Sequence, residues 1–191
     1  MISLKTPLSE SDVAKLKVGD IVYLSGIVVT ARDRAHERAL KDGKFPVDIR
    51  GGVIFHAGPV VKKEDGRWRI VAIGPTTSSR MNPVEAEFIK KFGVGGIIGK
   101  AGMSREVADA MENKAVYLAM TGGCAAIAAN AVKNVIAVYW LDLGIPEAVW
   151  VLDVSRLGPL IVGIDSHGSS LYEKVNKKVR ENIAGITQII F

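Results

Sequence analysis

Trp68-Arg69-Ile70-Val71-Ala72-Ile73-Gly74-Pro75-Thr76-Thr77-Ser78-Ser79-Arg80-Met81 is the stretch on which the reading of this chain turns. Its first six residues have the composition of a strand, and Gly74-Pro75 stops that strand abruptly and leaves backbone N–H groups at its end. Four hydroxyls in a row and a guanidinium follow before the next apolar segment begins. Hydroxyls and the planar guanidinium fork are donors suited to a carboxylate or a phosphate. The stretch therefore reads as a strand that delivers an anion site, the arrangement expected where ligands meet the strand ends of an α/β sheet.

Working outward, Pro83 to Phe92 reads as a helix with Val84, Phe88 and Phe92 on one face, closed by Gly93. Gly95 to Ile98 reads as a short buried strand, Ser104 as the cap of a helix to about Glu112, and Ala115 to Met120 as a strand. Gly122-Gly123 opens a small-residue helix holding Cys124 to Ala129. The apolar run Val135 to Leu141 predicts a central strand, followed by strands over Ala148 to Val154 and Leu160 to Ile164. A last helix carries a capping-box signal at Ser170 and Glu173 and an apolar stripe at Leu171, Val175, Val179 and Ile183.

Upstream, residues 9–17 predict a short capped helix, and Asp20 to Thr30 a strand bent or bulged at Gly26. Arg32 to Asp42 predicts a helix ending at Gly43. Gly52 to His56 and Pro59 to Lys62 predict strands, and Glu64-Asp65-Gly66 turns the chain into the strand before the Thr/Ser loop. The order is β-rich first and α/β later, with no linker and no repeat. A single α/β domain over residues 1–191 is expected.

Composition narrows the function classes. The 191 residues suffice for one well-buried core and are short for two. Hydrophobic residues make up 48% and charged residues 24%, the balance of a globular chain rather than a disordered one. No apolar run reaches the roughly 18 residues of a membrane span, and the first residues lack the layout of a signal peptide, so the cytoplasm is the expected compartment. The single cysteine, Cys124, excludes an internal disulfide framework and a self-contained iron–sulfur site. The three histidines are far apart in sequence and show no metal-binding spacing, so any metal has most of its ligands elsewhere. The net charge of +5 comes from basic residues interleaved with acids, with no arginine-rich tract, which argues against nucleic acid and fits a small anionic substrate.

Four loops place charged or hydroxyl side chains just after an expected strand: residues 30–38, the Thr/Ser loop, Gly99 to Met103, and Asp165 to Gly168. The glycine-rich segment before Lys100 is not a P-loop, because Val94 and Ala101 stand where Gly and Ser or Thr are needed, and Ile98 breaks the dinucleotide fingerprint. On sequence alone each cation keeps a plain alternative. Arg32 could start a solvated helix, Thr76 and Thr77 could cap one, Arg80 could sit in a surface ion pair and Lys100 in a solvated loop. Asp33 could orient Arg32 or cap its helix, and His36 could make a structural hydrogen bond. His56 reads as a satisfied core or turn histidine, Asp165-Ser166-His167 as a turn, and Cys124 as a small buried packing residue.

The motifs Thr30-Ala31-Arg32-Asp33-x-Ala35-His36-x-Arg38, Gly51-Gly52 with His56-Ala57-Gly58-Pro59, Gly74-Pro75-Thr76-Thr77-x-x-Arg80-Met81, and Gly95-Gly96-x-Ile98-Gly99-Lys100-Ala101-Gly102-Met103 together resemble the β subunit of class I fumarate hydratase. The same region forms the C-terminal domain of single-chain versions, and the β subunit of L(+)-tartrate dehydratase is closely similar. The match runs from about Gly19 to Gly168 and keeps the order and approximate spacing of the motifs.

The resemblance implies a swivelling β/β/α fold and half of an active site. The other half would be a fumarase α subunit with a four-iron, four-sulfur (4Fe-4S) cluster held by three of its own cysteines, one iron being open to substrate. A hetero-oligomer of two α and two β subunits is expected, with no metal ligand on this chain. Arg32, Arg80 and Lys100 match positions that contact the dicarboxylate substrate, and Thr76 matches a residue of the proton transfer at carbon. Asp33, His36 and Thr77 stand beside them as supporting residues. The implied reaction is the reversible hydration of fumarate to L-malate, a step of the tricarboxylic acid cycle, inactive without the partner. Dehydration of L(+)-tartrate is the near alternative, and a non-catalytic anion-binding or regulatory module the alternative of a different class.

Overall fold

The computed structural model describes the backbone of residues 1–190 and the side chains of residues 1–184. In chain order the elements are β1 (Ile2–Lys5), α1 (Glu10–Lys15), β2 (Ile21–Thr30), α2 (Asp33–Asp42), β3 (Val53–Phe55), β4 (Val60–Glu64), β5 (Arg67–Ala72), α3 (Asn82–Phe92), β6 (Gly96–Gly99), α4 (Arg105–Met111), β7 (Val116–Ala119), α5 (Ala125–Ala131), β8 (Val132–Tyr139), β9 (Val149–Ile164) and α6 (Leu171–Ile190). A 3-10 turn, Ser78–Met81, leads into α3. No helix among the described residues is long and apolar enough to cross a membrane.

Seven strands form one mixed sheet in the order β1-β2-β3-β6-β7-β9-β8. Strands β1, β2, β3, β6 and β7 run parallel, and β9 runs antiparallel to its neighbours. Because β9 also pairs with β2, from Ile21 with Ile161 to Val29 with Val151, the circuit β2-β3-β6-β7-β9 closes on itself. Side chains alternate across it. Val28, Val53, Phe55, Ile98, Val116, Leu118, Trp150 and Leu152 pack into one cluster, with Val13 and Leu16 by α1 and Ala128 of α5. Val29, Ile54, Ile97, Tyr117, Val149 and Val151 pack into the other, against α2, α3 and α4. Phe55 and Phe88 are fully buried, each worth about 1.5–3 kcal/mol over exposure.

The local signals of the sequence are visible in the elements. Ser9 and Asp12 close a capping box on α1. Helices α2 and α3 end at left-handed Gly43 and Gly93. The turn Asp65-Gly66, with φ of 48° and 77°, joins β4 to β5 in a separate two-stranded sheet. This hairpin lays Trp68 edge-on against Trp150, 5.4 Å between ring centroids.

Several expectations are corrected. The run read as a central strand is the edge strand β8, which among the described residues pairs only with β9 and leaves Ile136 exposed. The central antiparallel strand is β9, and it is one strand of sixteen residues rather than two. Gly158-Pro159 does not end it, because a register shift between Val22 and Leu24 of β2 absorbs the irregularity as a bulge. The buried face of α3 is Glu85, Ala86, Phe88 and Ile89, turned by about one residue from the expected stripe of Val84, Phe88 and Phe92. Ser104 stands at the N-cap of α4 without a side-chain cap bond, and Cys124 is half-buried at the start of α5. On α6, Val175, Val179 and Ile183 face outward.

Candidate functional site

The parallel strands bring their C-terminal ends to one register line, since Thr30 pairs with Phe55, Phe55 with Ile98 and Ile98 with Leu118. Residues just past that line are Arg32, His56 and Lys100. The Thr/Ser loop inserts into this end as backbone. Thr76 donates its N–H to the His56 carbonyl at 2.6 Å and accepts the Lys100 N–H at 3.2 Å. Ser78 N–H then bonds the Lys100 carbonyl at 2.9 Å, and Ala57 bridges Pro75. Gly74-Pro75 thus lays a short extended segment between the ends of β3 and β6. Sequence distance vanishes here: Arg32, Thr76, Thr77, Arg80 and Lys100 lie on three adjoining strand ends.

Each cation is held differently. Arg32 stands at the N-cap of α2, with Nε 3.2 Å from a Glu147 carboxylate oxygen and an outer nitrogen 3.5 Å from the Pro146 carbonyl. Arg80 is half-exposed and donates to Asp33 at 2.7 Å. Asp33 therefore orients Arg80, and Glu147 takes the role on Arg32 that Asp33 was expected to have. Each fork has five N–H donors, so one acid partner leaves donors for a second carboxylate. The Lys100 ammonium has no ion pair or hydrogen bond among the described residues, and it lies 3.8 Å from where a Cβ on Gly122 would stand. Thr77 pairs with Lys100 as a bridge and makes no side-chain cap.

Two glycines admit this packing. A Cβ on Gly99 would collide with the Ser78 hydroxyl. A Cβ on Gly58 would lie 2.6 Å from both an Arg32 guanidinium nitrogen and the Pro146 carbonyl. Gly58→Ala is expected to displace Arg32, at an overpacking cost of about 1–3 kcal/mol.

Beneath the strand ends lies a cluster that the sequence did not reveal. His36, His56 and Glu85 are all fully buried. One Glu85 oxygen lies 3.4 Å from His36 Nε2 and 3.1 Å from His56 Nε2, in contacts that are close but poorly aligned as hydrogen bonds. Burial pushes the Glu85 carboxyl up, but the two imidazoles outweigh it and hold the group down at about 2. Burial pushes His36 down, and Glu85 with the Arg32 carbonyl more than reverses this, so His36 is raised. In His56 burial wins over the pull of Glu85, and His36 adds to it, so His56 is lowered. Tyr117, hydrogen-bonded to Ser78 at 3.1 Å, is pushed up by burial. The place of Glu85 three and four residues before Phe88 and Ile89 was the available signal that it faces the core.

A family model described as Fumarase C-terminus matches residues 1–175. The chain belongs to the Fumarase C-terminus family. A provisionally named L(+)-tartrate dehydratase subunit beta of Methanocaldococcus jannaschii is 54% identical over 92% of this chain and 93% of its own length. The L(+)-tartrate dehydratase subunit beta of Escherichia coli K12 is 43% identical over 92% of this chain and 88% of its own. A provisionally named class I fumarate hydratase of Geobacillus stearothermophilus is 40% identical over the whole chain, which spans 37% of that longer protein.

In this Fumarase C-terminus chain the buried cluster sets a pH profile of stability. Glu85 is depressed below its ordinary 4.5, so its contribution is present above 4.5 and is lost as pH falls toward about 2. His56 is depressed below 6.5, so its contribution is full above 6.5 and declines on acidification below that value. His36 is raised, so its contribution is full below 6.5 and is lost as pH rises through its folded value. Denaturant midpoints measured across pH are expected to peak near 6.5 and to fall on the acid side in two stages. Glu85→Gln is expected to remove the lower stage.

Proposed function

We propose that this chain is the β subunit of an iron–sulfur hydro-lyase acting on a four-carbon dicarboxylate, with hydration of fumarate to L-malate as the reaction. The observation that carries the reading is the convergence of Arg32, Thr76, Arg80 and Lys100 on adjoining strand ends, each cation with donors left for an anion. Counting Arg32 with Glu147, Arg80 with Asp33 and Lys100 alone, the site has a surplus of positive charge that suits an anionic substrate.

The chain's own donors do not fit an iron–sulfur cluster. Cys124 is its one cysteine, and such clusters need several thiolates. The cluster of this reading therefore belongs to a partner α subunit, and this chain supplies the substrate-binding side. Arg32 and Arg80 bind the carboxylates, bidentate where the fork allows, and Lys100 adds a point charge for negative charge that develops during reaction. Thr76, fixed by its backbone between His56 and Lys100, offers a hydroxyl for the proton transfer at the substrate carbon. A neutral hydroxyl is a weak base, so this role depends on nearby cations.

Dehydration of L(+)-tartrate is the second reading, supported by the names of the two relatives that match this chain nearly end to end. Anaerobic co-purification with a cysteine-bearing α partner, followed by assays of fumarate hydration and tartrate dehydration, tests both. Turnover of fumarate supports the first reading and turnover of tartrate alone the second. An assembled, cluster-loaded complex that turns over neither overturns the hydro-lyase assignment.

A further inference from the structure

His36, His56 and Glu85 come from α2, from the turn after β3 and from α3, and the two rings meet edge-on with centroids 5.4 Å apart. His36 also packs on Phe88, and the outer nitrogens of both rings lead to the proposed substrate-binding segments. His36 Nδ1 lies 2.9 Å from the Arg32 carbonyl, which can only accept, so that nitrogen carries a proton. His56 Nδ1 lies 2.9 Å from the Ser78 hydroxyl, which also receives the Tyr117 O–H. The His56 carbonyl takes the Thr76 N–H, and Ser78 begins the turn that carries Arg80. Arg32 thus traces back to one buried carboxylate through the His36 ring and Arg80 through the His56 ring and Ser78, while Thr76 is held by the His56 backbone.

With Glu85 held ionised by the two imidazoles, one arrangement leaves no net buried charge. A lone carboxylate in this place would be costly, two imidazoliums beside it would leave a positive excess, and one imidazolium cancels it. Both ring nitrogens of His36 face acceptors, the Arg32 carbonyl and the Glu85 carboxylate, whereas His56 Nδ1 faces a hydroxyl, so the extra proton resides on His36. His56 is neutral, with its Nε2 proton on the side of Glu85 and its Nδ1 accepting from Ser78. Well-packed apolar side chains could stabilise the interior as well as this set does. They could not bond the Arg32 carbonyl and the Ser78 hydroxyl.

We propose that the His36–Glu85–His56 set is a charge-compensated clamp whose task is to position Arg32, Thr76 and Arg80 for the substrate. The identity of that substrate rests on the hydro-lyase reading; the clamp itself does not. Two measurements on Glu85→Gln test it. In the full chain, histidine ring-nitrogen NMR at neutral pH is expected to show one imidazolium and one neutral ring at these positions, and loss of the imidazolium in the variant. Amide signals of Arg32, Thr76 and Ser78 are expected to shift with it, whatever the activity of the complex. In the assembled complex, at a temperature where the variant remains folded, kcat/KM is expected to fall about 10- to 100-fold, the scale of a small misplacement of reacting groups.

Ser78→Ala, which cuts the link to His56 and the Tyr117 bond but leaves the carboxylate and both rings, keeps the test open if Glu85→Gln folds poorly, and is expected to lower kcat/KM about tenfold. A merely structural cluster would lower the melting temperature and leave the kinetics and the three amides unchanged, which would overturn the clamp. Recovery of one equivalent of a divalent metal with the purified chain, lost in Glu85→Gln, would also overturn it by making the three side chains metal ligands. A wild-type complex that turns over neither fumarate nor tartrate removes the hydro-lyase reading alone, and the NMR result still decides the clamp.

Discussion

Arg80→Ala is expected to raise the Michaelis constant of the assembled complex about 100-fold, equivalent to about 2.7 kcal/mol for a charge-assisted contact. The guanidinium is half-exposed and its one acid partner is Asp33, so its removal leaves the fold little changed. An exposed ion pair of this kind is worth only about 0–1 kcal/mol. The kinetic loss has two parts. The substrate loses a fork that binds a carboxylate, and Asp33 is left as an uncompensated negative charge beside the incoming anion. Arg80→Ala combined with Asp33→Asn is therefore expected to recover part of the lost affinity. Steady-state kinetics on both variants, with gel filtration to follow assembly, checks the expectation. A wild-type Michaelis constant in Arg80→Ala would reduce Arg80 to a surface ion-pair partner, and loss of the complex would make it an interface residue.

Glu85→Ala is expected to destabilise the chain by about 3–5 kcal/mol, the loss typical of breaking a buried charge set by removing one member. Two imidazoles would face each other without the carboxylate, around a cavity, in a place with no solvent access. For a chain of this size a loss of 1 kcal/mol lowers the melting temperature by about 2–4 °C, so the shift is large and easily read. Glu85→Gln is expected to cost less, because the amide fills the space and His36 can release its proton. Thermal unfolding of the three proteins at neutral pH gives the order wild type, Gln, Ala. Equal stability of Ala and wild type would mean that the carboxylate carries no buried charge.

Local chemistry was legible in the sequence. The capped start of α1, the turn at Asp65-Gly66 and the helix ends at Gly43 and Gly93 depend on neighbours within a few residues, and each formed as read, with Ser9 as the cap. The fold errors were of another kind. An apolar run does not say whether a strand is central or at an edge, and β8 borrowed its apolar look from one covered face while Ile136 stayed exposed. Gly158-Pro159 looks like a break in any local reading, yet pairing with β2 carries the strand through it.

The amino-acid sequence by itself determined the kind of chemistry available: hydroxyls and cations after strands, one cysteine, and motifs that tie the chain to its family. Residue type and short-range spacing carry that information, because donors, charges and turn geometry are properties of a few consecutive residues. Only the tertiary structure decided that Arg32 belongs with Glu147, Arg80 with Asp33, and Glu85 with two histidines 49 and 29 residues upstream. Those partnerships arise from strand register and helix rotation. One residue of slip would turn each side chain to the other face.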